Sequence, residues 1–574
     1  MIYTIKNIMW YFRKFTWSNR YIRAIILPAL ILMIISNWLE IIIIQKVTTF
    51  VESTVLEGEK TLFLIGAIIL ISNTLTYGAS VFCTYLVAYL TQKGYSSFFE
   101  EFLYIIYPEF TKYSIGEIQY CIQRRATSLG VFFQTLTIRF MMGLLFFIVA
   151  VIKICFSLPL MSTIKVIFGI CIFLTFVGVL QIFRADVRIK GNTGFEENGK
   201  KMYDILFNYE RIVAYNNLNL ELQKYYKAQY NQNYYLKIFW ILYEFGNLTL
   251  DILLVLLSTF ILLEYNEKSL LGNINVKNEI GELTILLKNL ENYVKVLSKD
   301  IAFLVTHYTN FTQSLTDDVE TEHIQNKISI KQIEKGITAS NLSFTRGNKV
   351  IFNNVNVAIL NGKKIAITGL SGCGKSTFMN ILLGFNDYQG SLEIDGWEFS
   401  SLNIKDIRDL IAYVPQDSQL FDMSIMENIK MGNNTIDNET VIDLCKKYNY
   451  HKLFKKLGYN FKVGSRGKCI SGGERQKIAF MRAMVKDTPL IFLDEPTANL
   501  DKTSEKELII NLITYSPDKT VLMIVHNLKI LKYFDLIFFF ANHTLKSVGS
   551  FDDLYSNDKT FNEYYISSTT KSKI

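Results

Sequence analysis

Two short stretches in the C-terminal half hold side chains suited to handling phosphate. The apolar strand pattern Lys364-Ile365-Ala366-Ile367 runs into Gly369-Leu370-Ser371-Gly372-Cys373-Gly374-Lys375-Ser376-Thr377, a GxxxxGK[ST] sequence in its required setting between a strand and a helix. There the glycines Gly369, Gly372 and Gly374 let successive backbone N–H groups, from Ser371 through to Thr377, curl round a phosphate chain. The positive end of the following helix adds to the attraction. Lys375 is expected to reach the terminal phosphates of a nucleotide such as ATP, and the Ser376 hydroxyl to hold Mg²⁺. Downstream, Pro489-Leu490-Ile491-Phe492-Leu493-Asp494-Glu495 is an apolar strand ending in two carboxylates. Asp494 is expected to complete the Mg²⁺ shell, and Glu495 to polarise an attacking water. Two acidic residues at a strand end are by themselves a solvated turn; behind a P-loop they read as a hydrolytic centre.

Strands rich in β-branched residues alternate with helical patterns from about residue 330 onward, the mark of an α/β domain. The preceding residues have another character. The chain has 574 residues, of which 50% are hydrophobic and 14% aromatic, with a mean hydropathy of +0.20, too apolar for a water-soluble protein of that length. Apolar stretches near 24–45, 62–91, 129–155, 160–183, 237–264 and 281–307 give six candidate spans, each near the ~20 residues a bilayer requires. The sixth carries Lys288, Glu291, Lys295, Lys299 and Asp300, which suit a helix lining a polar cavity. The connections 92–128 and 184–236 are polar, rich in Tyr and poor in Pro and Gly, and read as helices continuing out of the membrane. The expected organisation is an all-α six-helix transmembrane domain over 1–320, an α/β nucleotide-binding domain over 330–565 and a tail over 566–574.

The formal net charge of +8 includes no compact Lys/Arg tract, and a multi-span protein needs basic residues on its cytoplasmic side, so nucleic acid is excluded as a partner. Seven scattered cysteines without a CxxC pair indicate neither a disulfide framework nor a zinc site.

Between the two phosphate-handling stretches lies Ile470-Ser471-Gly472-Gly473-Glu474-Arg475-Gln476. With the P-loop before it and the paired carboxylates after it, this segment resembles the LSGGQ-type signature of the ABC ATPase superfamily, departing from it at Ile470 and Glu474. The resemblance implies that Ser471 and Gly473 of one subunit close over the nucleotide held by another, so that a second half-transporter subunit, as in a homodimer, completes each site. It also implies roles for single residues. Gln416, in Tyr413-Val414-Pro415-Gln416, matches the glutamine that senses Mg²⁺; Asp501, in Ala498-Asn499-Leu500-Asp501, matches a loop that crosses the dimer interface; His526 matches the switch histidine on the γ-phosphate. Arg346, two residues after Phe344, stands where such domains carry an adenine-stacking Tyr, and a guanidinium plane can stack on a base. Ser465 stands where exporters commonly have Glu.

A membrane domain preceding the ATPase in one polypeptide resembles the exporter arrangement, in which loop tips dock on ATPase domains; here the tips are Pro108–Ser114 and Tyr209–Asn217. The second tip, Asn208-Tyr209-Glu210-Arg211-Ile212-Val213-Ala214-Tyr215-Asn216-Asn217, is similar to the NYExVKYFNN stretch of mitochondrial ABC half-transporters that serve iron-sulfur protein assembly. Gly281-Glu282-Leu283 and Ser314-Leu315 to Asp318 also fall where that family has related residues. This implies a glutathione-linked sulfur or iron-sulfur-related cargo, with Arg125 facing it, and a mitochondrion-type inner membrane. No Arg- and Ser-rich presequence precedes the first span, which leaves the plasma membrane or another internal membrane open. An exporter of lipids, peptides or drug-like compounds shares every ATPase motif and is the alternative.

Overall fold

The computed structural model describes residue 13 and residues 20–570, apart from 52–54, 104, 106, 158–159, 270–275, 316–326 and 498–499. It divides into two compact units, Met1–Thr321 and Glu322–Ile574.

Among its described residues the first unit is mostly helical: α1 (Arg20–Val51), α2 (Val55–Leu103), α3 (Tyr107–Phe110), α4 (Ile115–Gln134), α5 (Met141–Ser157), α6 (Leu160–Phe207), α7 (Tyr209–Ala214), α8 (Leu218–Ser269) and α9 (Val276–Thr312). Among the described residues, Glu59–Leu103, Ile115–Lys153, Thr163–Phe207 and Leu218–Phe260 are long and apolar enough to cross a membrane, and Ile22–Ser36 is a shorter apolar stretch. Their outward faces carry large apolar side chains such as Phe63, Leu70 and Phe168, which lie exposed, as a bilayer requires. The unit is a multi-pass membrane protein.

The long connections are helical, as their composition suggests. α2 and α6 continue well past their apolar parts, and the expected loop tips become the short helices α3 and α7, with Tyr209, Val213 and Tyr215 of the second tip exposed. Ser114 starts α4 with a capping box, accepting from the Glu117 amide while Glu117 accepts from the Ser114 amide at 2.7 Å, which fixes the helix start by satisfying two orphan donors. Beyond it, α4 and α6 touch backbone to backbone: a Cβ on Gly116 would stand 2.5 Å from the Gly199 carbonyl oxygen, and one on Gly199 would strike the Tyr120 ring at 2.4 Å.

Over the expected sixth span, α9 is amphipathic. Leu287, Leu290, Val294 and Leu297 form its buried stripe, the first three packing with Ala150, Val177, Leu250 and Leu254. Three of its charges pair: Lys295 binds Asp251 of α8 at 2.9 Å and Glu291 at 2.7 Å, and Lys288 binds Glu291 at 3.1 Å, with both lysines and Asp251 still exposed. Asp300 is fully buried and lies 3.3 Å from Arg139, which a π-helical segment, Thr135–Phe140, carries between α4 and α5. Of the Ser314 to Asp318 segment, residues 316–318 lie outside the described residues.

The end of α9 is fastened by adjacent arginines of α4. Arg124 donates to the carbonyls of Asn310 (2.7 Å) and Gln313 (3.0 Å), and Arg125 to that of Phe311 (3.1 Å). Those of Asn310 and Phe311 are last-turn carbonyls that helix geometry leaves without partners, and Gln313 follows the helix end, where cations belong. Each guanidinium is matched by an acid on another helix: Arg124 by Glu196 of α6 at 2.6 Å, and Arg125 by Glu101 of α2 at 2.8 Å.

The second unit holds two sheets. β1 (Gly336–Arg346), β2 (Lys349–Leu360), β4 (Gln389–Ile394) and β5 (Trp397–Glu398) form an antiparallel sheet in the order β2-β1-β4-β5. The larger sheet, ordered β10-β9-β3-β8-β7-β6, contains β3 (Lys364–Gly369), β6 (Ile411–Val414), β7 (Leu490–Asp494), β8 (Thr520–Ile524), β9 (Leu536–Ala541) and β10 (Thr544–Gly549). β3, β6, β7, β8 and β9 run parallel, and β10 returns antiparallel on β9. β3, β7 and β8 are buried along their whole length, as their unbroken apolar sequences demand of strands covered on both faces. They lie side by side, so the residues that follow each strand gather at one edge of the sheet, the position where open α/β sheets bind ligands. Helices α10 (Lys375–Leu382), α11 (Gly472–Val485) and α12 (Lys502–Tyr515) start near the sequence motifs. The expected tail over 566–574 is helical as far as Thr570, with 571–574 outside the described residues.

Candidate nucleotide site

The P-loop leaves β3 at Gly369 with φ of 142°, where a Cβ would stand 2.0 Å from the Phe540 carbonyl oxygen of β9. Only glycine fits that approach. Gly372 (φ 80°) and Gly374 (φ 97°) also take left-handed conformations, and Gly374 ends the loop at the start of α10. Ser371 and Gly372 are exposed at the loop crest, while Thr377 is half-buried in the first turn of the helix. Lys375 is buried and folds back across the loop, donating to the Gly369 and Leu370 carbonyls at 2.9 Å each.

Ser376 donates to Asp494 Oδ1 at 3.2 Å, which joins the helix start to the end of β7. Burial pushes the Asp494 carboxyl above the usual carboxylate range, and neighbouring Glu495 pushes the same way, while Ser376, His526 and Lys375 pull it down. A hydroxyl and a buried carboxylate side by side are hard oxygen donors that fit Mg²⁺, an ion that takes one or two protein oxygens and leaves the remainder to phosphates and water. Consistent with so sparse a donor set, no cluster of three or more His, Cys, Asp or Glu stands together among the described residues.

Glu495 adopts φ of 48°, a left-handed conformation that costs a non-glycine residue roughly 1–2 kcal/mol. The turn swings its side chain into the gap between two neighbouring loops. Oε2 accepts from Gln416 Nε2 at 2.8 Å, and Oε1 lies 2.5 Å from His526 Nε2. Gln416 follows β6 and His526 follows β8, so the two strands flanking β7 each send one residue to the same carboxylate. Lys375, Ser376, Asp494, Glu495, Gln416 and His526 are thus brought together.

The other expected site residues lie apart from this cluster. Ser471 caps α11 in a second capping box, its amide donating to Glu474 Oε2 at 2.8 Å and its hydroxyl accepting from the Glu474 amide at 3.3 Å. This gives Glu474, a departure from the signature, a local role: the acid closes the box. Ser471 is exposed and Gly473 half-buried, and among the described residues no hydrogen bond joins them to the P-loop, Glu495 or His526. Asp501 caps α12, accepting from the amides of Thr503 (3.0 Å) and Ser504 (2.9 Å), bonds that hold its carboxyl below the usual range. Ala498 and Asn499 beside it lie outside the described residues. Arg346 is exposed at the end of the β1–β2 hairpin, opposite Lys349. Ser465 opens a single 3₁₀ turn whose next residue, Arg466, has φ of 57°.

In the membrane unit, Arg125 does not sit where the resemblance implies. Its side chain is only 3% exposed, held by Glu101, Ser314 and the Phe311 carbonyl and lying over the Phe98 ring at 4.1 Å. It is a packing residue at the end of α9. A second arginine of this unit is also buried. Arg184 of α6 borders a recess of about 10 Å³, room for one water, between Gln181, Tyr243, Asn247 and Ser298 and the apolar Phe176, Val177, Leu180 and Ala302. Its Nη1 donates to Gln181 Oε1 at 3.1 Å, its plane lies over the Phe239 and Tyr243 rings, and its buried Nε has no partner. The sequence signal was an arginine and a glutamine three residues apart at the end of an apolar run, which reads equally well as the cytoplasmic end of a span.

Residues 352–498 match the family described as ABC transporter. The chain is 31% identical over 405 residues to the "Iron-sulfur clusters transporter atm1, mitochondrial" of Neurospora crassa, covering 66% of this chain and 55% of that protein. It is 30% identical over 413 residues to the corresponding Gibberella zeae protein, covering 68% and 57%. A "Heavy metal tolerance protein" of Schizosaccharomyces pombe is 32% identical over 295 residues, covering 49% and 35%. The chain thus spans little more than half the length of the first two relatives. The solved structure titled "Structure of a bacterial Atm1-family ABC exporter with ATP bound" superposes with a TM-score of 0.84 at 20% identity, over 95% of this chain and 99% of that one. Residues 352–498 of the C-terminal unit thus form an ABC transporter domain, and the chain as a whole has the fold of an Atm1-family ABC exporter.

Proposed function

We propose that the chain is a half-transporter that couples ATP hydrolysis to export of a polar solute, working as a pair of subunits. The observation that carries this reading is the convergence of Gln416 and His526 on Glu495 beside the Ser376–Asp494 pair. The P-loop amides and Lys375 bind the phosphates. Ser376 and Asp494 hold Mg²⁺, which neutralises phosphate charge. Glu495 takes a proton from the attacking water as its oxygen bonds to the γ-phosphorus and the bond to the β-phosphate oxygen breaks, releasing ADP and phosphate. His526 orients Glu495 and reaches the γ-phosphate, and Gln416 reports on the metal. The exposed caps at Ser471 and Asp501 complete the site of a second copy, with Gly473 contributing from the first turn that Ser471 caps. Arg346 supplies a flat cation at the hairpin end for the adenine.

For the cargo, the buried Arg184 guanidinium, whose Nε has no hydrogen-bond partner among the described residues, suits a single carboxylate or thiolate group rather than a recess that encloses a whole solute. With the relatives named as iron-sulfur clusters transporters, this supports a glutathione-linked sulfur or iron-sulfur-related compound and a mitochondrion-type inner membrane. A second reading, export of lipophilic compounds, is favoured by an apolar recess of about 540 Å³ between α6, α8 and α9, lined by Gly169, Ile170, Leu253, Leu257 and Val294. ATP turnover of the reconstituted protein, measured against thiol conjugates, lipids and peptides, separates the two. Stimulation by thiol conjugates alone supports the polar cargo; stimulation by lipids alone refutes it.

A further inference from the structure

The hydrolytic cluster has a support that the motifs do not include. Glu505, in the first turn of α12, is nine-tenths buried, and its carboxylate is divided between two loops. Oε1 accepts from Thr497 Oγ1 at 2.9 Å, and Oε2 accepts from Asn527 Nδ2 at 2.7 Å. Thr497 lies two residues after Glu495, and Asn527 immediately follows His526. Asn527 is fixed at its other end as well, its Oδ1 accepting from the Lys529 amide at 3.2 Å to cap a 3₁₀ turn. One buried acid therefore ties the segment carrying Glu495 to the segment carrying His526.

The acid is in turn placed by Asp501. That residue caps α12, its carbonyl accepting from the Glu505 amide at 2.9 Å and its carboxylate from Thr503 and Ser504. A shift of the Asp501 cap would carry Glu505 with it, and through Glu505 the spacing between Glu495 and His526. That spacing is a single 2.5 Å contact between a side chain that is 16% exposed and one that is 48% exposed, so the half-exposed histidine needs a backbone held from behind.

We propose that Glu505 is a positioning residue that sets His526 against Glu495 and links their alignment to the cap at Asp501. The inference rests on the reading of Glu495 as the group that activates water. Glu505→Ala in the full-length reconstituted protein is expected to lower kcat by about 10- to 100-fold, with KM for ATP and binding of a non-hydrolysable ATP analogue within about threefold of wild type. Glu505→Gln is expected to restore most of the rate, because its carbonyl oxygen can still accept from Asn527 while its amide donates to the Thr497 hydroxyl, which can accept. Asn527→Asp keeps the cap on Lys529 but sets a carboxylate against Glu505, and is expected to match Glu505→Ala. The double variant is expected to be no slower than either single one, as for residues acting as one unit.

The proposal is overturned if Glu505→Gln is as slow as Glu505→Ala, if the two single losses multiply, or if analogue affinity falls in step with kcat. If Glu505→Ala does not fold, the split between kcat and analogue affinity in Asn527→Asp decides the matter. Glu495→Gln separates this from the underlying reading: wild-type turnover in that variant would remove the reading itself, whatever Glu505 does.

Discussion

Glu495→Gln changes almost nothing except the capacity to take a proton. The substituted side chain has the same length and the same left-handed backbone, so the roughly 1–2 kcal/mol of strain at φ 48° is common to both forms. Its carbonyl oxygen can still accept from Gln416, and its amide can donate to His526 once the imidazole presents its unprotonated nitrogen. Exchanging charge-assisted for neutral hydrogen bonds costs about 1 kcal/mol apiece. Removing the negative neighbour that raises the Asp494 carboxyl offsets part of this. The unfolding midpoint should therefore move little, and nucleotide affinity should hold. Turnover loses a general base, worth about 10²- to 10⁴-fold, or roughly 3–5 kcal/mol of barrier. The assay is phosphate release by the reconstituted protein, beside analogue binding and thermal unfolding of the same preparation. Basal turnover within about threefold of wild type would refute the role given to Glu495, and loss of analogue binding would refute the claim that its contribution is confined to the chemical step.

Three further outcomes follow from the geometry. Asp494 titrates above the usual range in the fold, so between the ordinary value and the raised one the folded protein holds a proton that the unfolded chain has released, and stability falls as pH rises through that window. Asp494→Asn should therefore gain nucleotide-free thermal stability over wild type at pH 7.5 but not at low pH, while losing Mg²⁺-dependent nucleotide binding; a gain independent of pH would count against burial as the cause. Gly116→Ala would place a methyl 2.5 Å from the Gly199 carbonyl oxygen and should destabilise the membrane unit by about 1–3 kcal/mol, seen as a lowered melting temperature in detergent, whereas Gly178→Ala, which meets nothing within 4 Å, should not. Arg184→Ala should raise the half-maximal concentration of any stimulating thiol conjugate about tenfold or more, and an unshifted dose-response curve would remove that residue from the cargo path.

What the sequence makes legible here is what is local. The P-loop, the strand into Asp494 and Glu495, and the capped starts of α11 and α12 are each specified within about ten residues, since a glycine turn or a capping box needs no distant partner. The membrane helices were legible because apolar runs of sufficient length admit few other structures. Partners distant in the chain were not. Arg125 is a ligand residue only by family resemblance, and neither Glu101 of α2 nor Ser314 beyond the end of α9 can be assigned to it from spacing. The charges of α9 are legible as charges, but that Lys295 takes its counter-charge from Asp251 on α8 is not. Glu505 reads as an ordinary acid in a first helical turn, favourable to the helix dipole, and nothing in its neighbourhood announces Thr497 or Asn527.

The paired arginines at the end of α9 bear on how that helix can move. Its last carbonyls, two guanidiniums and the acids of two further helices form one knot, and Arg124, Glu196 and Arg125 within it are almost wholly shielded from water. Unwinding the final turn would draw the Asn310, Phe311 and Gln313 carbonyls away from these guanidiniums, at about 1.5–3 kcal/mol for each charge-assisted hydrogen bond, more than fraying a helix end ordinarily costs. A push or pull on this end therefore does not dissipate in local melting. It is borne jointly by α2, α4, α6 and α9, which makes the knot a stiff joint, and any bending must occur where the helices are held by apolar contacts alone.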